Sequence, residues 1–229
     1  MICWYNASSV RGEYMEYTAL VVAAGSGSRV GLGYNKMLYK LQNGNTILEE
    51  TLQVFQQDAR CHQIVVVASA QDMETFHEVC DEKNICIVEG GTTRQESVWN
   101  GLQKVNCSHV LIHDGARPWL SIDCIDRIVE KLEMCNACLL MVPVKDTIKV
   151  VENGIVKHTP QRSTLWQAQT PQAFRTECIK EAFEVAFEKG IEATDDAQIM
   201  ELCGKEKVEV VEGSYENQKV TTIEDLQGK

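Results

Sequence analysis

The sequence predicts an α/β fold: a mostly parallel, twisted sheet with helices on both faces. Three observations carry this expectation. Short apolar runs alternate with stretches of helical periodicity along nearly the whole chain, the pattern of strands joined by crossover helices. At 229 residues and 44% apolar composition, the chain can bury a core without disulfides or metal staples. Linkers, low-complexity tracts and internal repeats are lacking, so residues 1–229 are expected to form one domain.

Each element follows from its local pattern. Residues 1–16 have no periodicity and are expected to be a disordered lead-in, with either Met1 or Met15 as the natural start. ALVVAA (19–24) is a buried strand, and Ile47, Leu48, Thr51, Leu52 and Phe55 follow on helical spacing. QIVVVAS (63–69) is the next strand, then a polar helix near 71–83 and a short strand at 85–89. Thr93 and Glu96 form a capping box that opens a helix running to about Val105. HVLIHD (109–114) is a strand ending on acid. Ser121 caps a helix with Ile122, Ile125, Val129 and Leu132 on one face, and ACLLMVPV (137–144) is again a strand. The dipeptide Asn153-Gly154 is a hairpin signal, so residues 144–169 are expected as a projecting β-arm, a device that commonly pairs two subunits. A helix over 176–189 carries Ile179, Ala182, Phe183, Ala186 and Phe187 on one stripe.

Composition narrows the function. A net charge of −11 argues against nucleic-acid or anionic-membrane partners, but local cations can still hold a small polyanion in one cleft. No apolar run approaches the ~20 residues of a membrane span, and the first residues read neither as signal nor as transit peptide. Ten cysteines without the dense spacing of a secreted scaffold point to a reducing, cytoplasmic setting. Cys135 and Cys138 form an isolated C-x-x-C, read as reduced thiols.

The first strand runs into VVAAGSGSRVG (21–31). A dinucleotide fingerprint would need glycine at Val30, and a Walker A loop would need Gly-Lys-Ser/Thr; neither is present. Gly25 and Gly27 still allow a phosphate chain to approach the backbone, with Arg29 and Lys36 just downstream. The plain alternative is a tight turn with surface cations. A second strand end carries Gly90 and Gly91, then Arg94 and Ser97; a third carries Asp114 and Arg117 in HDGARP. A carboxylate beside an arginine suits Mg²⁺ and phosphate together, although a turn or N-cap role would also explain Asp114. His113 is read as packed.

AAGSGSR (23–29), GGTTRQESV (90–98), HDGARP (113–118), PVKDTIK (143–149), LWQAQTPQAF (165–174), TDDA (194–197) and NQKVT (217–221) occur in this order. Together they resemble the 2-C-methyl-D-erythritol 4-phosphate cytidylyltransferase family. The resemblance implies a Rossmann-like nucleotidyltransferase fold, a homodimer formed through the arm, and transfer of a cytidylyl group from CTP to a polyol phosphate with Mg²⁺. It implies that Ala23, Ala24, Gly25, Ser26 and Gly27 wrap the triphosphate, and that Gly90, Gly91 and Ser97 recognise cytidine. Arg29, Lys36 and Lys219 would be the catalytic cations. Asp114 would hold the metal, with Glu216 a possible second ligand. Arg117, Thr147, Arg162 and Thr170 would bind the polyol phosphate, Thr147 and Arg162 reaching in from the partner subunit.

The chain departs from the family pattern at three places. Asn35-Lys36-Met37 replaces the usual Pro-Lys-Gln, and Gly115 replaces an alanine; both are expected to loosen phosphate-contacting turns. Glu216 stands where Asp is common. The rival substrate is ribitol 5-phosphate. The rival class is a nucleotide-binding regulator without catalysis, which should have lost Arg29, Lys36, Asp114 or Lys219; all four are present.

Overall fold

The computed structural model describes residues 15–25, 34–80 and 84–226. The lead-in at 1–14 and the loop bearing Ser26, Gly27 and Arg29 lie outside them. A seven-stranded sheet has the order β3-β2-β1-β4-β8-β5-β9, built from β1 (Tyr17–Val22), β2 (Cys61–Ala68), β3 (Ile85–Glu89), β4 (His109–Asp114), β5 (Ala137–Pro143), β8 (Trp166–Arg175) and β9 (Glu209–Glu212). Six strands share one direction. β8 runs against both neighbours, pairing Ile112 with Gln172 on β4 and Leu139 with the same Gln172 on β5.

Strand alternation sorts the side chains into two layers. On β1, Tyr17, Ala19 and Val21 face one layer, with α1 (Ile47–Gln56), α2 (Met73–Val79) and α4 (Ile122–Leu132). Leu20 faces the other, with α3 (Arg94–Leu102), α5 (Thr176–Lys189) and α6 (Asp196–Cys203). The capping box of Thr93 and Glu96 forms as expected, and a second one, Thr46 with Glu49, opens α1. The helix expected over 71–83 is shorter among the described residues, spanning Met73–Val79.

Because α1 and α2 cross on one face and α3 on the other, the strand order reverses between β1 and β4. Ligands of open α/β sheets bind at such a switch point, beyond the carboxyl ends of the strands. Both strands end there in the residues singled out above: Ala23 to Gly25 after β1, and Asp114 to Arg117 after β4.

The arm is present. β6 (Val150–Glu152) and β7 (Ile155–His158) pair antiparallel in a sheet of their own. Asn153 at φ 51° and Gly154 at φ 76° supply the two left-handed residues that a tight hairpin turn requires. Its apolar side chains are uncovered, with Ile155 66% and Val156 55% exposed.

Candidate active site

The site is built around Asp114. β4 delivers its carboxylate to the sheet edge, where Lys219 Nζ lies at 2.9 Å, Arg117 Nε at 3.4 Å and Arg94 Nη2 at 3.7 Å. Burial alone would raise this carboxyl. The three cations outweigh burial and hold it well below the ordinary carboxylate range. Among the described residues no cluster of three or more potential metal ligands exists. Asp114 is a single hard carboxylate donor at this point, the kind of group that can hold Mg²⁺ together with phosphate oxygens. Glu216 is exposed on the turn before Asn217.

Behind Asp114 a buried chain of hydrogen bonds sets its backbone. Thr170 Oγ1 accepts from the Asp114 N–H at 3.0 Å and pairs with His113 Nδ1 at 3.0 Å, while His113 Nε2 faces the Arg117 carbonyl at 3.2 Å. Burial pushes the His113 imidazole down to about 4, so it is neutral near pH 7. A carbonyl only accepts, so Nε2 carries the proton and Nδ1 accepts from Thr170. The Thr170 hydroxyl is thus committed inward, to the loop that carries Asp114. His113 is packed, as expected, against Phe55.

The C-terminal segment closes the other side. Arg117 Nη1 donates to Asn217 O at 2.7 Å, Asn217 Nδ2 to Thr170 O at 2.8 Å, and Val220 N to Ala116 O at 2.8 Å. Lys36 Nζ donates to Val220 O at 2.7 Å. Strand β4, strand β8 and the residues after β9 thereby bring Asp114, Lys36, Arg117 and Lys219 together. A cleft of about 430 Å³ opens beside them, lined by Lys36, Asp114 and Lys219 with Gly25, Gly91, Arg94 and Ser97 but not by Arg117, a size that suits a small ligand.

The glycines shape its far wall. A Cβ on Gly90 would stand 2.7 Å from Ala24 Cβ and 2.8 Å from Ser97 Oγ, and one on Gly91 would stand 2.3 Å from Glu96 Cβ. Ser97 Oγ accepts from the Gly91 N–H at 3.1 Å and donates to Thr93 O at 2.8 Å, so its hydroxyl sets the course of the glycine turn. Gly115 does not leave its turn loose. Its N–H donates to Val22 O and its carbonyl accepts from Thr51 Oγ1, both at 2.9 Å. Thr147 and Arg162 sit exposed on the arm, Arg162 donating to Lys145 O at 3.1 Å, and do not line this cleft within one chain.

One pair went unassigned from sequence. Arg94 meets Asp196 through two hydrogen bonds, 3.0 and 2.7 Å, and Asp196 is fully buried at the start of α6. Opposing the cost of burial, Asp196 and then Asp114 hold the Arg94 guanidinium firmly charged. TDDA in the sequence was the available signal, but only the docking of α6 against α3 reveals its partner.

A sheet with its switch point at β1/β4, glycine turns beside it and cations converging on one carboxylate fit the class of α/β nucleotidyltransferases. A family model for 2-C-methyl-D-erythritol 4-phosphate cytidylyltransferase matches residues 17–228. The chain belongs to this family. The enzyme of that name from Halalkalibacterium halodurans is 46% identical over 217 residues, covering 93% of this chain and 94% of the relative. That from Clostridioides difficile is 43% identical over 216 residues, covering 92% and 90%. Among solved structures, 4-diphosphocytidyl-2C-methyl-D-erythritol synthase from Anaerococcus prevotii superposes with TM-score 0.82 at 31% identity, covering 93% of this chain and 96% of that one. The Francisella tularensis cytidylyltransferase gives TM-score 0.79 at 32% identity, covering 93% and 97%.

Proposed function

We propose that this enzyme transfers a cytidylyl group from CTP to 2-C-methyl-D-erythritol 4-phosphate, releasing pyrophosphate. The observation that carries the reading is the meeting of Arg94, Arg117 and Lys219 around Asp114 at the switch point, with Lys36 on the same cleft, in a chain of this family.

The chemistry needs no protein nucleophile. A phosphate oxygen of the polyol substrate attacks the α-phosphorus of CTP, a new P–O bond forms, and the bond to the bridging oxygen breaks. Pyrophosphate leaves with the electron pair. The protein aligns two polyanions and neutralises the charge that develops between them. Lys36 and Lys219 face the α-phosphate, joined by Arg29 from the loop outside the described residues. Ala23 to Gly27 follow the triphosphate, and Gly90, Gly91 and Ser97 form the cytidine wall. Asp114 would hold Mg²⁺, which would supply Lewis acidity at the α-phosphate. Ionised far below neutral pH, the Asp114 carboxylate is ready for a cation without losing a proton.

Arg117 and Thr170 border the polyol phosphate side, Thr170 by setting the Asp114 loop. Thr147 and Arg162 complete that side from a second subunit. The uncovered apolar side chains of β6 and β7 support a homodimer joined through the arm. Among the described residues no helix is long and apolar enough to cross a membrane.

Pyrophosphate release from CTP and Mg²⁺ tests the reading, with methylerythritol 4-phosphate and ribitol 5-phosphate in parallel. Release with the first alone is expected. Release with the second alone would reassign the substrate, and silence with both while CTP still binds would favour the regulator.

A further inference from the structure

We infer that Asn35, Asp72 and Ser69 form a positioning relay for Lys36, a polar tether that fixes the turn from which its side chain starts. The inference rests on the reading of Lys36 as a cation that faces the triphosphate.

Lys36 sits in a single 3-10 turn, Lys36–Leu38, between β1 and α1. So short a turn has little stability of its own, and a lysine stem has several rotatable bonds. The ammonium is held at its tip by the Val220 carbonyl, and the backbone from which the stem starts needs its own support. Asn35 caps the turn: its Oδ1 accepts from Met37 N at 3.0 Å and its backbone carbonyl accepts from Leu38 N at 3.0 Å. Its Nδ2 donates to Asp72 Oδ2 at 2.7 Å, and the same oxygen accepts from Ser69 Oγ at 2.5 Å. Asn35 is buried, and on the apolar side Met37 is buried in the core. Lys36 is thus clamped between a polar tether and an apolar anchor.

Two further observations favour a dedicated device over a chance contact. Asp72 occupies the N-cap of α2, yet its side chain makes no capping hydrogen bond there. It gives up the usual use of an N-cap aspartate to hold Asn35. And Asn35 has φ −63°, the value that a proline ring imposes. The backbone therefore has the shape that proline would fix covalently, and here hydrogen bonds from the end of β2 maintain it. The expected loosening at Asn35 is countered by this second contact, which single-residue inspection does not show.

The test is a set of variants in the pyrophosphate-release assay, with melting temperatures alongside. Asn35→Ala and Asp72→Ala are each expected to lower kcat by roughly tenfold or more, since displacing a catalytic group by about 1 Å costs up to ~100-fold. KM for the polyol phosphate should hardly change. Asn35→Pro should recover kcat to within about threefold of the parent, and adding Asp72→Ala to Asn35→Pro should then have no further effect, because contacting residues couple only while the contact exists. Asp72→Asn, which keeps an acceptor for Asn35, should stay near the parent. Lys36→Ala separates the two levels of the inference. If it leaves turnover intact, the reading of Lys36 fails and the relay with it. If Lys36→Ala abolishes turnover while Asn35→Ala and Asp72→Ala stay within twofold, the relay alone is overturned. Losses that merely follow a fall in melting temperature, without recovery in Asn35→Pro, would overturn it as well.

Discussion

The ammonium of Lys219 lies 2.9 Å from the carboxylate of Asp114, and Arg117 joins the same carboxylate from three residues along its own loop. The pair links the end of β4 to the segment after β9. Removing Lys219 leaves Arg94 and Arg117 facing Asp114, so the fold should survive. Lys219→Ala is expected to lower kcat by about 10²–10³, the usual loss for one preorganised charge-stabilising donor, with a nearly unchanged melting temperature. A loss below tenfold in steady-state pyrophosphate release would remove Lys219 from the machinery.

Gly90 lies against Ala24 and Ser97, where the loops after β1 and β3 touch. A methyl group there forces them apart. Gly90→Ala should raise KM for CTP at least tenfold and destabilise the protein by about 1–3 kcal/mol, as overpacking does. Nucleotide titration and thermal melts measure the two effects separately. Unchanged CTP affinity would argue that the glycine turn does not wall the nucleotide site.

Thr170 accepts from the Asp114 backbone and donates to His113. Thr170→Val keeps the shape and strands both partners, at a cost of about 1–3 kcal/mol for a buried donor left unpaired. Its kcat should fall as well, since the loop carrying Asp114 loses its brace. Thr170→Ser, which retains the hydroxyl, should restore most of both; if it does not, the hydroxyl is not what matters.

The arm predicts assembly. Ile155→Glu combined with Val156→Glu places charge on both exposed faces of β7, and sedimentation should then report a monomer. Activity should fall with it, because Thr147 and Arg162 are assigned to the neighbouring subunit's site. A double variant that stays dimeric would place the interface elsewhere. An active monomer would show that the partner's side chains are dispensable.

Asp58 offers a test of pH dependence far from the site. Its carboxylate accepts from the Tyr17 hydroxyl at 2.8 Å and from Arg60 at 2.8 Å. Burial works to raise its pKa, but the bonds from Arg60 and Tyr17 prevail and lower it. A carboxyl with a depressed folded pKa contributes stability above its unfolded value, near 3.9, and loses it as pH falls toward the folded value. Asp58→Asn should therefore be less stable than the parent at pH 7, by about 1–3 kcal/mol. The gap in urea midpoint should shrink below about pH 4. A pH-independent gap would mean that the charge is not what the site uses.

Local signals were strong enough for most of the sheet. β1, β2 and β4 are short apolar runs rich in valine and isoleucine, too short for a buried helix, and both Thr93 and Asn153-Gly154 act within a few residues of themselves. β8 was not legible as a strand. WQAQTPQAFR contains a proline, and its buried positions include Gln169, Thr170 and Gln172. These polar groups depend on distant partners: Gln169 on Ser214, Gln172 on Asp195 and Ala197. α6 and β9 were missed as well, being short and, in β9, at the sheet edge.

The same division runs through the site. The sequence by itself determined where the glycine turns, the strand-end aspartate and the capping box fall, because each acts over a few bonds. Only the tertiary structure decided how these parts act on each other: that Lys219 and Arg117 share Asp114, that Asp196 anchors Arg94, and that Asp72 steadies Asn35 beside Lys36. The reason is physical. Electrostatic and hydrogen-bond energies depend on separations of a few ångströms, and folding sets those separations between residues that the chain itself keeps far apart.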